Sequence, residues 1–308
     1  MKVWVTGGHG FLGTYVVKEL VKKGYEVLNP VHAKVNLMNK GDVHGFIDCY
    51  HPEKIIHLAA LCGGIGANKN RPGDFFYQNL MMGIQLIEAA RLYKIKKFVQ
   101  VGTVCSYPKF AHVPFNEFDL WQGYPEETNA PYGIAKKALL VQLQAYRQQY
   151  NFPGIYLIPV NLYGPGDNFN PETSHVIPAI IRKIDEAIKE DRDEIEVWGT
   201  GLATREFLYV EDCACGIIDS LEKYDKPDPI NLGTGNSIKI EGLVYLISDL
   251  MEYRGEVKWD ETKPDGQPAR QLDISKAEKE INWKPKTDLI TGLEKTIEWW
   301  RGEYERNK

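Results

Sequence analysis

The fold turns on Lys2-Val3-Trp4-Val5-Thr6-Gly7-Gly8-His9-Gly10-Phe11-Leu12-Gly13. A short β-branched run enters a cluster of glycines, and Val16, Val17, Leu20 and Val21 then recur at helical spacing. Gly24 is a natural stop for that helix. The cluster holds two overlapping patterns: Gly-x-Gly-x-x-Gly from Gly8, and Gly-x-x-Gly-x-x-Gly from Gly7. Between a strand and a helix, such glycines permit a tight turn. They also let the backbone approach a pyrophosphate at the helix N-terminus, where free N–H groups and the dipole favour anions. The stretch predicts a dinucleotide site built from Gly7, Gly8, His9, Gly10, Phe11, Leu12 and Gly13; a structural glycine turn is the alternative.

Outward from this turn the pattern alternates. Segments 26–28, 54–58, 97–101 and 155–158 read as strands; 42–50, 75–93 and 131–150 read as helices. Strands alternating with helices of this length predict an α/β chain with a Rossmann-type, doubly wound parallel sheet. Between 101 and 131 lies a Pro-, Asn- and Glu-rich loop, and a loop that long inside a compact domain is usually functional. After Pro159 the composition changes to Gly, Pro and Asn. A helix at 176–189 and a strand at 195–198 follow, and then 207–210, 211–221 and 229–233 look like a return to the sheet. The expected division is 1–160 plus about 206–236 for the dinucleotide domain. A smaller α+β substrate domain takes about 161–205 plus 237–308.

The chain has 308 residues and a formal net charge of −5. That gives no basic field for nucleic acid and no polybasic patch for a membrane. No apolar run approaches the ~18 residues of a membrane span, and Met1-Lys2-Val3-Trp4-Val5 runs straight into the glycine turn, unlike a signal peptide. The cysteines, Cys49, Cys62, Cys105, Cys213 and Cys215, are odd in number and lack Cys-x-x-Cys spacing. This argues against a disulfide framework or a metal site and for the reducing cytoplasm.

In Pro131-Tyr132-Gly133-Ile134-Ala135-Lys136 the tyrosine and lysine lie four apart, on one helix face. A lysine cation about 4 Å from a phenolate interacts with it by roughly 4 kcal/mol at an effective dielectric of about 20. That is enough to bring the phenol down towards working pH as a proton donor and acceptor. Two ordinary helix residues are the alternative. Strand 97–101 ends in Gly102-Thr103-Val104-Cys105-Ser106-Tyr107-Pro108, at the sheet edge where ligands bind, and Thr103 adds a hydroxyl there. The end of the second strand chooses between nicotinamide cofactors, since a carboxylate there accepts from the ribose 2′-OH of NAD and repels a 2′-phosphate. Asn29-Pro30-Val31-His32-Ala33-Lys34 has none, and His9, His32 and Lys34 are available cations, or simply solvated. NADP(H) is preferred and NAD(H) stays open. His57, inside Ile55-Ile56-His57-Leu58, reads as structural.

Thr103, Tyr132, Lys136 and the glycine turn together resemble the extended short-chain dehydrogenase/reductase superfamily. Six ordered blocks narrow the match: Gly63-Gly64-Ile65-Gly66-Ala67-Asn68, Phe76-Tyr77-Gln78-Asn79, Cys105-Ser106-Tyr107-Pro108-Lys109, Asn161-Leu162-Tyr163-Gly164-Pro165, Ser174-His175-Val176-Ile177-Pro178-Ala179 and Lys263-Pro264-Asp265-Gly266. In these blocks the chain closely resembles the GDP-L-fucose synthases. The resemblance implies a GDP-4-keto-6-deoxy-mannose substrate, epimerised at C3 and C5 and reduced at C4 with NADPH. It implies Tyr132 as acid–base, Lys136 also on the nicotinamide ribose, and Thr103 aligning the substrate oxygen. Cys105 is then the epimerisation base and His175 the acid. A thiol titrates near ~8.5 and an imidazole near ~6.5, which suits the exchange; a small buried thiol and a structural histidine are the alternatives.

The implied cofactor set adds Asn36, Leu37, Leu58, Ala59, Ala60, Pro159, Asn161 and Leu162. Lys183, Trp198, Arg205 and Asp265 are implied for the nucleotide sugar, with a solvated Lys183 and a core Trp198 as alternatives. Thr103 and Lys183 stand where the family commonly has Ser and Arg, and Val104 where Ser is common. His9 replaces an Arg in the glycine turn, and the arginine expected after the second strand is absent; these two departures leave room for a sister enzyme on another GDP-sugar, one variant of which uses NAD with no net redox. A dinucleotide-sensing protein without catalysis is the rival from another class. The helices at 75–93 and 131–150 resemble a pair that related enzymes use to form a four-helix homodimer interface.

Overall fold

A computed structural model describes residues 1–306, with side chains to Gly302. In chain order the elements are β1 (Lys2–Thr6), α1 (Phe11–Lys22), β2 (Glu26–Leu28), α2 (Lys40–Tyr50), β3 (Lys54–His57), α3 (Ile65–Asn70), α4 (Pro72–Leu92), β4 (Lys97–Val101), α5 (Ala130–Tyr150), β5 (Gly154–Pro159) and β6 (Asn161–Tyr163). Then come α6 (Val176–Lys189), β7 (Glu194–Trp198), β8 (Thr204–Arg205), β9 (Phe207–Tyr209), α7 (Val210–Lys223), β10 (Ile230–Leu232), β11 (Ile238–Lys239), α8 (Ile240–Leu250), β12 (Glu256–Asp260), α9 (Ser275–Ile281) and α10 (Leu289–Arg306).

Six strands form one sheet in the order β10-β5-β4-β3-β1-β2, every neighbouring pair parallel. α1 and α7 pack together on one face, and α2, α4 and α5 line the other. This is the doubly wound arrangement expected from the alternating pattern. The strand order reverses between β1 and β3, which opens a crevice at their C-terminal ends. The short strands carry apolar side chains on both faces, as a sheet covered twice requires: Ile55, Ile56, Phe98 and Val99 are fully buried.

A second apolar cluster gathers α6, α8, β7 and the start of α10 around Ile181, Ile184, Val197, Val244 and Leu293. Three two-stranded pairings accompany it: β6 with β9, β7 with β12, and β8 with β11. The two cores divide the chain differently from the expected boundaries in two places. Phe207 and Tyr209 belong to the second core, because β9 pairs with β6. Leu272, Ala277 and Ile281 belong to the first, because α9 packs on β10 and α7.

Four short elements lay outside the expected pattern, β8 and β11 as well as α3 and β6. α3 is short and Gly- and Asn-rich; Asn68 holds it by donating to Gly63 O and Gly64 O at 2.9 and 3.1 Å. β6 follows β5 after a single residue, too short a break for periodicity to register. The long loop before α5 contains two 3-10 turns, Val104–Ser106 and Glu117–Trp121.

Candidate active site

The glycine turn is tight enough to exclude side chains. Gly7 has φ +70°, and a Cβ there would stand 2.9 Å from Ala59 N; at Gly13 it would stand 2.0 Å from Gly7 O. Gly10 caps α1 with no side-chain hydrogen bond, so the first N–H groups of the helix are free for an anion. Leu58, Ala59 and Ala60 follow β3 directly against this turn, with Ala59 N donating to Thr6 Oγ1 at 3.3 Å. Asn79 of α4 clamps the same segment, accepting from Leu61 N at 3.0 Å and donating to Leu61 O at 2.9 Å. Asn79 closes the Phe76-Tyr77-Gln78-Asn79 block of the sequence. These residues fit a dinucleotide pyrophosphate.

Around the adenosine end the side chains are partly committed. His9 Nε2 donates to Asn29 O at 2.7 Å, which leaves Nδ1 as its free nitrogen. His32 and Lys34 are exposed. Asn36 Oδ1 accepts from Met38 N at 3.0 Å, and Leu37 packs in the main core. Pro159 ends β5, and Leu162 is partly buried in β6.

Tyr132 opens α5 one turn before Lys136. Gly133 lets that helix press on the turn after β4, since a Cβ there would lie 2.3 Å from Cys105 O; Ser106 Oγ donates to Gly133 O at 2.9 Å. The Tyr132 ring meets Phe75 edge-on, with centroids 6.3 Å apart. Thr103 Oγ1 accepts from Cys105 N at 3.2 Å and stands beside Tyr132, whose pKa its hydroxyl lowers. Thr103, Cys105, Tyr132 and Lys136 thus meet at the mouth of β4.

The electrostatics reverse the expected sense of the Tyr–Lys pair. Tyr132 is held well above the usual phenol range by burial, reinforced by Cys62, Cys105 and Tyr156 and only partly opposed by the Thr103 hydroxyl. Lys136 is 2% exposed, and burial lowers it to about 8. Its Nζ donates to Val101 O at 3.2 Å. Spacing put the two side chains on one face, but desolvation outweighs their attraction when both leave water. Tyr132 is therefore a neutral phenol at neutral pH, set to give a proton.

His175 is the N-cap residue of α6 and makes no side-chain cap bond. It reaches the solvent of the cleft, yet the walls desolvate it; that burial and the Arg270 charge lower its pKa below the ordinary imidazole value. Cys62 behaves similarly. It is exposed to the cleft, but desolvation raises its pKa, with Lys136 and Asp167 as its charged neighbours. Arg205 is nearly buried and lowered to about 9 by desolvation and by Arg270, with Cys105 and Asp265 opposing. It donates to Thr204 O and Asp265 O, both at 2.8 Å. Arg270 donates to Gln267 Oε1 at 2.9 Å and to Asn161 Oδ1 at 3.5 Å, while Asn161 Nδ2 donates to Glu206 O at 2.9 Å.

The outer residues of the nucleotide-sugar set divide. Trp198 is exposed and carries Lys263 over its ring, so it is not a core residue. Lys183 Nζ donates to Glu196 O at 2.7 Å. Both carboxylate oxygens of Asp265 accept from Thr200, at 2.8 Å from N and 2.7 Å from Oγ1, so in this structure Asp265 shapes the turn at 199–202. Sequence reasoning missed Arg270, Cys62 and Asp167. Burial raises Asp167 to about 7, and its Oδ2 has no partner among the described residues. None of the three carries a local signal: each becomes notable through what folds beside it.

A glycine-turn crevice with a Tyr–Lys pair and a hydroxyl at the next strand edge defines a dinucleotide-dependent enzyme of the short-chain dehydrogenase/reductase type. The NAD dependent epimerase/dehydratase family matches residues 3–233. A rice protein, "Probable GDP-L-fucose synthase 1", is 40% identical over 301 residues, covering 97% of this chain and 92% of its own. Two solved structures share the whole architecture. A Campylobacter jejuni GDP-6-OMe-4-keto-L-xylo-heptose reductase superimposes with a TM-score of 0.91 at 28% identity, over 98% of each chain. An NADP-bound GDP-L-fucose synthetase from Naegleria fowleri gives 0.89 at 25%, over 99% of this chain and 95% of that one. The chain belongs to the NAD dependent epimerase/dehydratase family, in its GDP-L-fucose synthase branch.

Proposed function

We propose that the protein epimerises GDP-4-keto-6-deoxy-D-mannose at C3 and C5 and reduces it at C4 to GDP-L-fucose with NADPH. The observation that carries this reading is the position of Cys105 in the turn after β4, bonded through its N–H to Thr103 and pressed by Gly133 of the helix that carries Tyr132 and Lys136. A thiol beside a proton-donating phenol is what this chemistry requires. NADPH at the glycine turn supplies the hydride. The preference for the 2′-phosphate form is supported by the absence of a carboxylate at 29–34, by the cations His9, His32 and Lys34, and by the NADP-bound relative.

Tyr132, oriented by Thr103, donates to the ketone oxygen and stabilises the enolate that forms when an α-proton leaves. Cys105 takes that proton from one face, and His175 returns one to the other. Arg205 and Arg270 hold the diphosphate, and Trp198 offers an exposed ring to the nucleotide. At the end of the cycle Tyr132 gives its proton to the oxygen at C4, with Lys136 beneath supporting the phenolate. Stoichiometric NADPH oxidation that depends on this sugar, with product stereochemistry by NMR, tests the reading; no oxidation would overturn it. A second reading, reduction at C4 of another GDP-4-keto sugar, is favoured by the likeness to the heptose reductase. The same assay with a panel of sugars separates the two.

The Cys105–His175 pair works while it holds one proton between its two groups, so exchange slows on the acid side once a second proton binds. With His175 depressed, that limb lies below ~6.5. Arg270→Gln removes the repelling charge and should move the limb up, read as deuterium exchange at C3 and C5 against pH. A limb that stays in place would remove His175 from the pair.

α4 and α5 lie side by side and leave Phe76, Tyr77, Val141 and Tyr150 exposed. A homodimer that joins these helices into a four-helix interface would cover them. Sedimentation at micromolar concentration checks it, a monomer being the contrary result. Among the described residues no helix is long and apolar enough to cross a membrane.

A further inference from the structure

Under the catalytic helix, the last row of side chains before the C-terminal edge of the sheet is polar. Thr6, His57, Gln100 and Tyr156 stand in register on β1, β3, β4 and β5, and none is more than 3% exposed. Two residues earlier on each strand the row is Trp4, Ile55, Phe98 and Gly154, apolar as a twice-covered sheet demands. Trp4 packs on Phe46 of α2, so both rows face the α2–α4–α5 layer.

Thr6 Oγ1 accepts from Ala59 N and lies 2.7 Å from His57 Nδ1; its own buried proton is satisfied when it donates to Nδ1, which assigns the neutral ring the tautomer with a bare Nδ1. The His57 proton then sits on Nε2, and that atom has no partner among the described residues. His57 is kept neutral by burial and by the charge of Lys136. Gln100 Nε2 donates at 2.9 Å to Val101 O, the carbonyl that also accepts from Lys136 Nζ. Gln100 Oε1 is likewise unpartnered, and Tyr156 Oη, beside Ser106, forms no well-aligned bond. A buried donor and a buried acceptor are thus left unmet beside a desolvated ammonium group. Polar groups so placed are rarely without a partner, and a site with this many polar atoms suits an ordered water.

We propose that His57 and Gln100 are positioning residues for Lys136, acting through one buried water that accepts from His57 Nε2–H and Lys136 Nζ–H and donates to Gln100 Oε1. The water and the two side chains replace the hydration that Lys136 loses on burial and keep its ammonium protonated beneath Tyr132. The other titratable groups facing Lys136 are Tyr132 on its own helix, Cys62 after β3 and Tyr156 on β5; none of them bonds to Nζ. The catalytic consequence rests on the reductase reading above, but the water site does not.

Two measurements test it. In the holoenzyme with NADPH and keto sugar, Gln100→Leu and His57→Leu should move the alkaline limb of kcat down by about one pH unit while KM stays within about twofold. His57→Gln, which keeps a donor, should restore most of the shift. Folded variants with the wild-type limb would overturn the proposal. Should either variant fail to fold, a high-resolution crystal structure of the unmodified protein decides. Water bonded to both His57 Nε2 and Gln100 Oε1 is expected. A direct His57–Gln100 bond with no water at Lys136 would overturn the proposal, whatever the substrate proves to be.

Discussion

Tyr132→Phe should slow sugar-dependent NADPH oxidation by about a thousandfold, close to 4 kcal/mol of transition-state stabilisation. The ring stays, and so does its edge contact with Phe75, so thermal stability should hardly change. What goes is the proton. With burial holding the phenol well above its usual range, Tyr132 reaches the ketone neutral, and no neighbouring group replaces it: Lys136 is turned onto Val101 O, and Thr103 is itself oriented by Cys105 N–H. Deuterium exchange at C3 and C5 should fall less, by about tenfold, because enolate formation loses only one hydrogen bond. Single-turnover NADPH oxidation reads the first effect. A loss of less than tenfold would show that another group donates the proton.

Cys105→Ala should have the opposite signature. Exchange at C3 and C5 should drop by about 10² to 10⁴, the usual contribution of a positioned base, while NADPH is still consumed slowly. The product would then be the 4-reduced sugar without inversion at those carbons. Cys105 suits the test because its thiol is half-buried at the edge of β4 and packs no core. Cys62 provides the control. It also faces Tyr132 across the cleft, so Cys62→Ser should leave exchange near the wild-type rate if the base is Cys105 alone. Loss of exchange in Cys62→Ser, with retention in Cys105→Ala, would transfer the role to the other thiol.

The glycine turn illustrates what is legible from residues in line. Gly7, Gly10 and Gly13 meet within one turn of chain, so their effect on backbone reach follows from spacing alone. The same is true of the strand–helix alternation that gives the parallel sheet. α3 and β6 escaped because they are too short to develop a period. Asp265 illustrates the opposite case: its block was visible, but Thr200 claims both carboxylate oxygens from a separate part of the chain.

The sequence by itself determined the doubly wound sheet, the dinucleotide turn and the shared helix face of Tyr132 and Lys136, because each depends on neighbours within a few residues. Only the tertiary structure decided how those groups ionise. Burial is a property of what folds around a side chain, and here it outweighs the four-residue spacing, raising Tyr132 and lowering Lys136. It likewise brought Arg270 to His175 and laid His57 and Gln100 under Lys136, through strand register and loop packing that no local pattern encodes.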